Sequence, residues 1–300
     1  MRVLLIAGGW STEREVSLCG AKAVRAALEQ LGHDVTFLDL SESFDSLIET
    51  ARRHDFAFIN LHGAPGEDGL VQAMLDTVGC PYQGSGPAGS FLALNKAAAK
   101  NVFRANGILT PDWQLVTSHP DADWKPAMPC PLFAKPNTGG SSLGMSMVRS
   151  EEELAPALDK IFALGETALL EPLVRGKEVT CSILGDEALP LILIEPTAKA
   201  GYFDYDNKYK PGMAREICPA PIDETVAKKI STATLTAHRS LGLYGYSRGD
   251  FIVDGDTAYL LEMNTLPGMT PTSLVPQAAA QAGMDFPALI GRLIELGLAR

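Results

Sequence analysis

The 300-residue chain lacks most of the features that assign a function at a glance. No apolar run approaches the roughly 20 residues that span a bilayer, and residues 3–7 are too short for the core of a signal peptide. Acidic residues outnumber basic ones 36 to 25, a formal charge of −11. That balance excludes a general binder of nucleic acid or of an anionic membrane surface. The five cysteines (Cys19, Cys80, Cys130, Cys181, Cys218) are odd in number and contain no close pair. They fit buried thiols in a reducing cytoplasm, and neither a disulfide frame nor a zinc site. There is no internal repeat and no low-complexity segment. Gly8-Gly9 lacks the third glycine of a dinucleotide fingerprint, and no lysine follows a glycine-rich loop as in a Walker motif. No Cys–His or Ser–His arrangement stands out.

What is present alternates. Residues 3–7 read as a buried strand, 14–31 as a helix that Gly32 can stop, 35–40 and 56–61 as strands, and 44–53 as the helix between them. This order implies a parallel, helix-covered sheet over about the first ninety residues, of the kind that binds ligands at the carboxyl ends of its strands. Glu15 follows the first strand and His62 the third. Each reads either as a ligand or as an ordinary structural residue, the glutamate complementing a helix dipole. A helix at 94–105 carries Lys96. A strand at 132–135 then leads into Pro136-Asn137-Thr138-Gly139-Gly140-Ser141-Ser142-Leu143-Gly144. Small residues let backbone wrap phosphate oxygens, with Lys135 supplying charge, although the same loop could simply be flexible. A strand (145–148), a helix (151–164) and a strand (168–171) complete an α+β unit that ends at Glu171 and Val174, beside backbone suited to an adenine edge. Glu178 opens a strand at 179–184, and 188–194 is strand again. Residues 196–221 have almost no apolar periodicity and include Lys208 and Tyr209; a loop of that length is usually a lid or binding element. Residues 222–241, 273–283 and 286–298 are helical.

The organising stretch is 245–273. Arg248-Gly249-Asp250-Phe251-Ile252-Val253 and Ala258-Tyr259-Leu260-Leu261-Glu262-Met263-Asn264 flank an Asp254-Gly255-Asp256 turn, a strong hairpin signal. Side chains alternate between faces, so Arg248 with Asp250, and Glu262 with Asn264, share a side. If the register joins those sides, two carboxylates, an amide and a guanidinium converge, the few-oxygen set by which Mg²⁺ is held beside substrate phosphates. Otherwise the hairpin merely presents a solvated charged face.

Glu13-Arg14-Glu15-Val16-Ser17, the 62–69 segment, 135–144, Tyr205-Asp206-Asn207-Lys208-Tyr209 and 262–273 together resemble the D-alanine–D-alanine ligases of the ATP-grasp superfamily, in family order over essentially the whole chain. The resemblance implies a mixed α/β and α+β fold in three domains: 1–94, α/β, on the side of the first substrate; 95–177, the central ATP-grasp domain; and 178–300, carrying metal site and lid. ATP and two Mg²⁺ (with Mn²⁺ able to replace it) would lie between the last two domains, in a cytoplasmic homodimer. By the same resemblance Lys96, Lys135, Ser142 and Lys208 would contact phosphates, and Glu171, Val174 and Glu178 would hold adenine and ribose. Asp250, Glu262 and Asn264 would ligate metal, with Glu262 bridging both ions. Glu15 would pair with the ammonium of the first D-alanine and His62 would stand near its carboxylate. Arg248 and the Gly268 N–H would face the oxyanion, and Ser273 and Leu274 would position the second D-alanine. Ser141, Tyr209 and Glu15 would latch the lid. Gly249, where the family usually has an apolar residue, is expected to weaken its strand, and Ala73 replaces a frequent glycine. The alternatives are a ligase that joins D-alanine to D-lactate or D-serine, from which Lys208-Tyr209 points away, and a nucleotide-binding module without catalysis, against which Arg248 and an intact metal set count.

Overall fold

The computed structural model describes residues 1–41, 43–121, 123–140, 143–196 and 214–300. Its first sheet is parallel. Strand β1 (Arg2–Ala7) lies between β2 (Asp34–Asp39) and β3 (Phe56–Asn60), and Val3, Leu4, Leu5, Ile6 and Ala7 are all buried, as a strand covered on both faces requires. Helix α1 (Arg14–Gln30) returns the chain to β2, and Gly32 at φ +81° makes the turn. Helices α2 (Phe44–Ala51) and α3 (Leu70–Val78) follow β2 and β3.

The expected helix over 94–105 is α5 (Lys96–Ala105), preceded by a further helix, α4 (Pro87–Leu94). Asn95, with ψ 95°, breaks the run, and its side chain accepts from Ala98 N at 3.0 Å to cap α5. Lys96 thereby becomes the first residue of a helix.

The second sheet is antiparallel, in the order β4 (Gln114–Val116), β7 (Ala168–Pro172), β5 (Leu132–Pro136), β6 (Ser146–Val148). Helix α6 (Leu154–Phe162) buries Leu158 and Ile161 with Leu132, Ala134, Val148 and Leu170. The third sheet runs β11 (Ala214–Ile217), β10 (Ile192–Pro196), β8 (Lys177–Leu184), β12 (Tyr246–Asp254), β13 (Thr257–Asn264), with the short β9 (Glu187–Ala188) on β8. The strand expected at 188–194 is interrupted around Pro190, which cannot donate to a ladder. Part of the expected 196–221 loop is strand, because β11 pairs antiparallel with β10. Lys208, Tyr209, Ser141 and Ser142 lie outside the described residues.

Helix α7 (Glu224–Ser240), capped by Asp223, packs on the third sheet. Gly249 is paired on both sides, with Met263 and Cys181, and lets the helix close on the sheet. A Cβ there would stand 3.0 Å from Met263 Sδ and 3.1 Å from Thr234 Cγ2. Helices α8 (Leu274–Gln281) and α9 (Phe286–Leu298) bury Val275, Leu289, Ile290 and Leu293 in one core with β1, β3 and α1. Residues late in the chain therefore cover its first sheet. Among the described residues no helix is long and apolar enough to cross a membrane.

Candidate active site

The hairpin register puts Asp250 opposite Glu262 and Arg248 opposite Asn264, so all four side chains share one face. Between Asp250 and Phe251 the pairing slips from Glu262 to Leu260, leaving Leu261 as a bulge. A bulge bends its strand and re-aims neighbouring side chains, and here Leu261 and Glu262 both line the same cleft. Arg248 grips Asp250 with a fork: Nε donates to Oδ1 and Nη2 to Oδ2, each at 2.7 Å. Asn264 Nδ2 donates to Asp250 Oδ2 at 3.0 Å. Burial opposes the charge on Arg248, but Asp250 and Glu262 outweigh it and hold the guanidinium more firmly protonated than usual.

The facing wall comes from the second sheet and α5. Lys135 on β5 forms an ion pair with Glu171 on β7, and the same carboxylate pairs with Lys100, one turn after Lys96 on α5. Burial works against the Glu171 charge, but the two lysines prevail and keep its carboxyl below the ordinary range. Lys96 Nζ donates to Gly139 O at 2.5 Å and lies 3.3 Å from Glu262 Oε2, tying the glycine-rich loop to the hairpin. Between the walls is a cleft of about 560 Å³, within the usual range for small-ligand sites. Lys96, Lys135, Glu171, Val174, Glu178, Asp250 and Glu262 all line it. Its floor includes Ile194 and Ile252, which pair with Glu178 from either side.

At the mouth of the first sheet, His62 is buried, and burial pulls its pKa down, opposed by the charge of Glu13 and a hydrogen bond to the Leu266 backbone. That bond joins His62 to the 265–273 loop, where Ser273 Oγ meets Thr270 Oγ1 at 2.7 Å and accepts from Thr270 N at 3.1 Å. Gly268 is so near that a Cβ on it would be 3.0 Å from Ser273 Oγ, and Leu274 begins α8 immediately after. His62, Gly268, Ser273 and Leu274 are thus one neighbourhood.

Glu15 does not belong to it. It lies exposed on the first turn of α1, while Glu13, at the N-cap, faces the site. Glu13 Oε2 is 3.3 Å from where a side chain on Gly140 would begin, and its charge acts on both His62 and Glu67. The physical reason is helix phase. Arg14 turns away to form an ion pair with Asp39 and donates to Gly9 O at 2.9 Å, which fixes residues 8–13 with Glu13 inward. Glu67, also missed, has its pKa pushed up to about 8 by burial and by the charges of Glu13 and Glu262.

This excess of carboxylate charge, with Asp250, Glu262 and the Asn264 amide on one face, fits a hard divalent cation that completes its shell with phosphate oxygens. Two carboxylates and an amide are too few to cage a cation alone; among the described residues no group of three His, Cys, Asp or Glu does so.

The comparisons with known proteins agree. The family model described as "D-ala D-ala ligase C-terminus" matches residues 96–295. The D-alanine--D-alanine ligase of Nitratidesulfovibrio vulgaris (strain DP4) is 64% identical over 299 residues, covering 99% of this chain and 98% of that protein. The one from Oleidesulfovibrio alaskensis is 61% identical, covering 100% and 97%. The crystal structure of the Bacillus anthracis D-alanine--D-alanine ligase complexed with ATP superposes with a TM-score of 0.89 at 32% identity, covering 100% of this chain and 98% of that one. A register-paired carboxylate hairpin facing a two-lysine wall, on a chain this similar along its length, makes the protein a member of the D-alanine–D-alanine ligase family, with the ATP-grasp fold.

Proposed function

We propose that this protein joins two D-alanines, consuming ATP and releasing ADP and phosphate, through a D-alanyl phosphate. The dipeptide would serve as a peptidoglycan precursor made in the cytoplasm. The observation that carries the reading is the convergence of Arg248, Asp250, Glu262 and Asn264 with Lys96 and Lys135 across one cleft. A carboxylate is a poor electrophile until phosphorylated, and phosphoryl transfer asks a protein chiefly for positioning and charge neutralisation. Asp250, Glu262 and Asn264 would hold two Mg²⁺, which neutralise phosphate charge when bound.

The chain's own residues do the rest. Lys96 and Lys135 lie where nucleotide phosphates would meet the glycine-rich loop, and Val174 and Glu178 line the deeper end for adenine and ribose. Glu171 serves the nucleotide through Lys135, with which it pairs. Glu13 would pair with the ammonium of the first D-alanine, and that substrate's carboxylate would restore the proton that burial draws off His62. Arg248, released from Asp250, would meet the oxyanion together with the Gly268 N–H, and one such donor is typically worth about 3 kcal/mol. Ser273 and Leu274 would seat the second D-alanine. Ser141, Ser142, Lys208 and Tyr209 would keep the roles that the resemblance implies. We also take the protein to be a homodimer.

The test is incubation with ATP, Mg²⁺ and D- or L-alanine, with D-lactate and D-serine offered as acceptors, followed by product identification. D-alanyl-D-alanine formed only from the D-enantiomer supports the reading. No ADP release with any of them refutes it.

A further inference from the structure

Helix α5 carries two lysines one turn apart; only Lys96 lines the cleft, and Lys100 has no role in the chemistry above. Lys100 is fully buried, and its ammonium makes one ion pair and donates two hydrogen bonds. Its partners are the Glu171 carboxylate, Thr110 Oγ1 at 2.6 Å and Pro111 O at 3.2 Å. So held, it cannot reach a ligand. Its effect must pass through Glu171, which stands between it and Lys135.

Charge counting shows what that effect is. Lys135 and Glu171 alone are a neutral pair, and a buried carboxylate with one partner would bind that partner closely. With Lys100 behind Glu171, the cluster carries one net positive charge, on the side that opens to the cleft. We propose that Lys100 is a positioning residue for nucleotide binding. It offsets the Glu171 charge from behind, so that the cluster Lys135 presents to nucleotide phosphates is net positive. Burial lowers the pKa of Lys100 to about 8, and Glu171 is the first group opposing that fall, so the two depend on each other for charge.

The inference rests on the ATP-dependent reading, and the experiment separates the two. Affinity for Mg·ADP is measured by calorimetry, with KM for ATP and for D-alanine, on wild type, Lys100→Met, Glu171→Gln and the double variant. Lys100→Met should weaken nucleotide binding and raise KM for ATP on the order of tenfold, leaving KM for D-alanine unchanged. Adding Glu171→Gln should bring nucleotide affinity back to within about twofold of the Glu171→Gln variant alone, because Lys100 acts only through that carboxylate. A merely structural lysine would show no such rescue. If Lys100→Met fails to fold, the comparison of the double variant with Glu171→Gln still decides. Equal affinities support the proposal, and a further loss in the double variant overturns it. Wild-type affinity in Lys100→Met also overturns it. Wild-type protein that binds no nucleotide at all refutes the ligase reading instead.

Discussion

His238 sits in the last turn of α7, buried against β12, with Nδ1 2.7 Å from Ser247 Oγ. Ser247 precedes Arg248, so this contact braces the strand that carries Arg248 and Asp250. Burial pulls the His238 pKa from 6.5 to about 4; Asp186 pulls the other way, and Arg239 reinforces the fall. The unfolded chain then binds a proton that the folded chain refuses between those values, so stability is full above 6.5 and is lost as pH falls towards 4. Going from pH 7 to pH 5 should cost about 2 kcal/mol from this residue alone, rising to about 3 kcal/mol below pH 4. The assay is urea unfolding followed by tryptophan fluorescence at pH 7 and pH 5, for wild type and for His238→Asn. The asparagine keeps a hydrogen-bonding group near the Nδ1 position and does not titrate. Carboxylates that also titrate are common to both proteins and cancel. The variant should lose about 2 kcal/mol less than wild type over the interval. Equal losses in the two proteins would refute the reasoning.

Glu13→Gln should raise KM for the first D-alanine by an amount worth roughly 1.5–3 kcal/mol, whereas exposed Glu15→Gln should stay within about 0.5 kcal/mol of wild type, and steady-state kinetics that show the reverse would restore Glu15 to the site. Glu262→Gln should shift the Mg²⁺ titration of activity to higher concentration and lower turnover, and a wild-type titration curve would remove the metal reading of the hairpin. In Gly249→Ala the new methyl meets Met263, Thr234 and Phe251 at 3.0–3.2 Å, so unfolding free energy should fall by about 1–3 kcal/mol, and an unchanged value would mean that α7 yields easily.

Much of this site was legible because the hairpin announces itself. An Asp-Gly turn and strict alternation place Arg248, Asp250, Glu262 and Asn264 on two sides, and only the register remained to join them. The bulge at Leu261 was not legible, since nothing in Tyr259-Leu260-Leu261-Glu262 distinguishes a paired leucine from an unpaired one. Glu13 and Glu15 differ by two positions, about 200° around a helix. Which one faces inward depends on the Arg14–Asp39 contact, made with a residue 25 positions away. Lys100 did leave a signal: it repeats Lys96 at four residues, on the same helical face, with three alanines between them. Its partner Glu171 lies on strand β7, and no local pattern pairs them. Likewise the apolar stripe of residues 286–298 revealed a face to be buried but not the sheet that buries it.

That last arrangement has a consequence for how the chain is made. The face of the first sheet packed by α9 is complete only when residues 286–298 arrive, with Gly297 set so close to Phe56 and Tyr82 that a methyl would not fit. During synthesis, roughly 225 residues emerge after β3 before that cover begins. The first sheet must wait for it, half clothed, as a target for chaperones and for neighbouring nascent chains. Ribosomes stalled before residue 286 should hold a protease-sensitive amino-terminal region, while those stalled beyond residue 298 by the length of the exit tunnel should not.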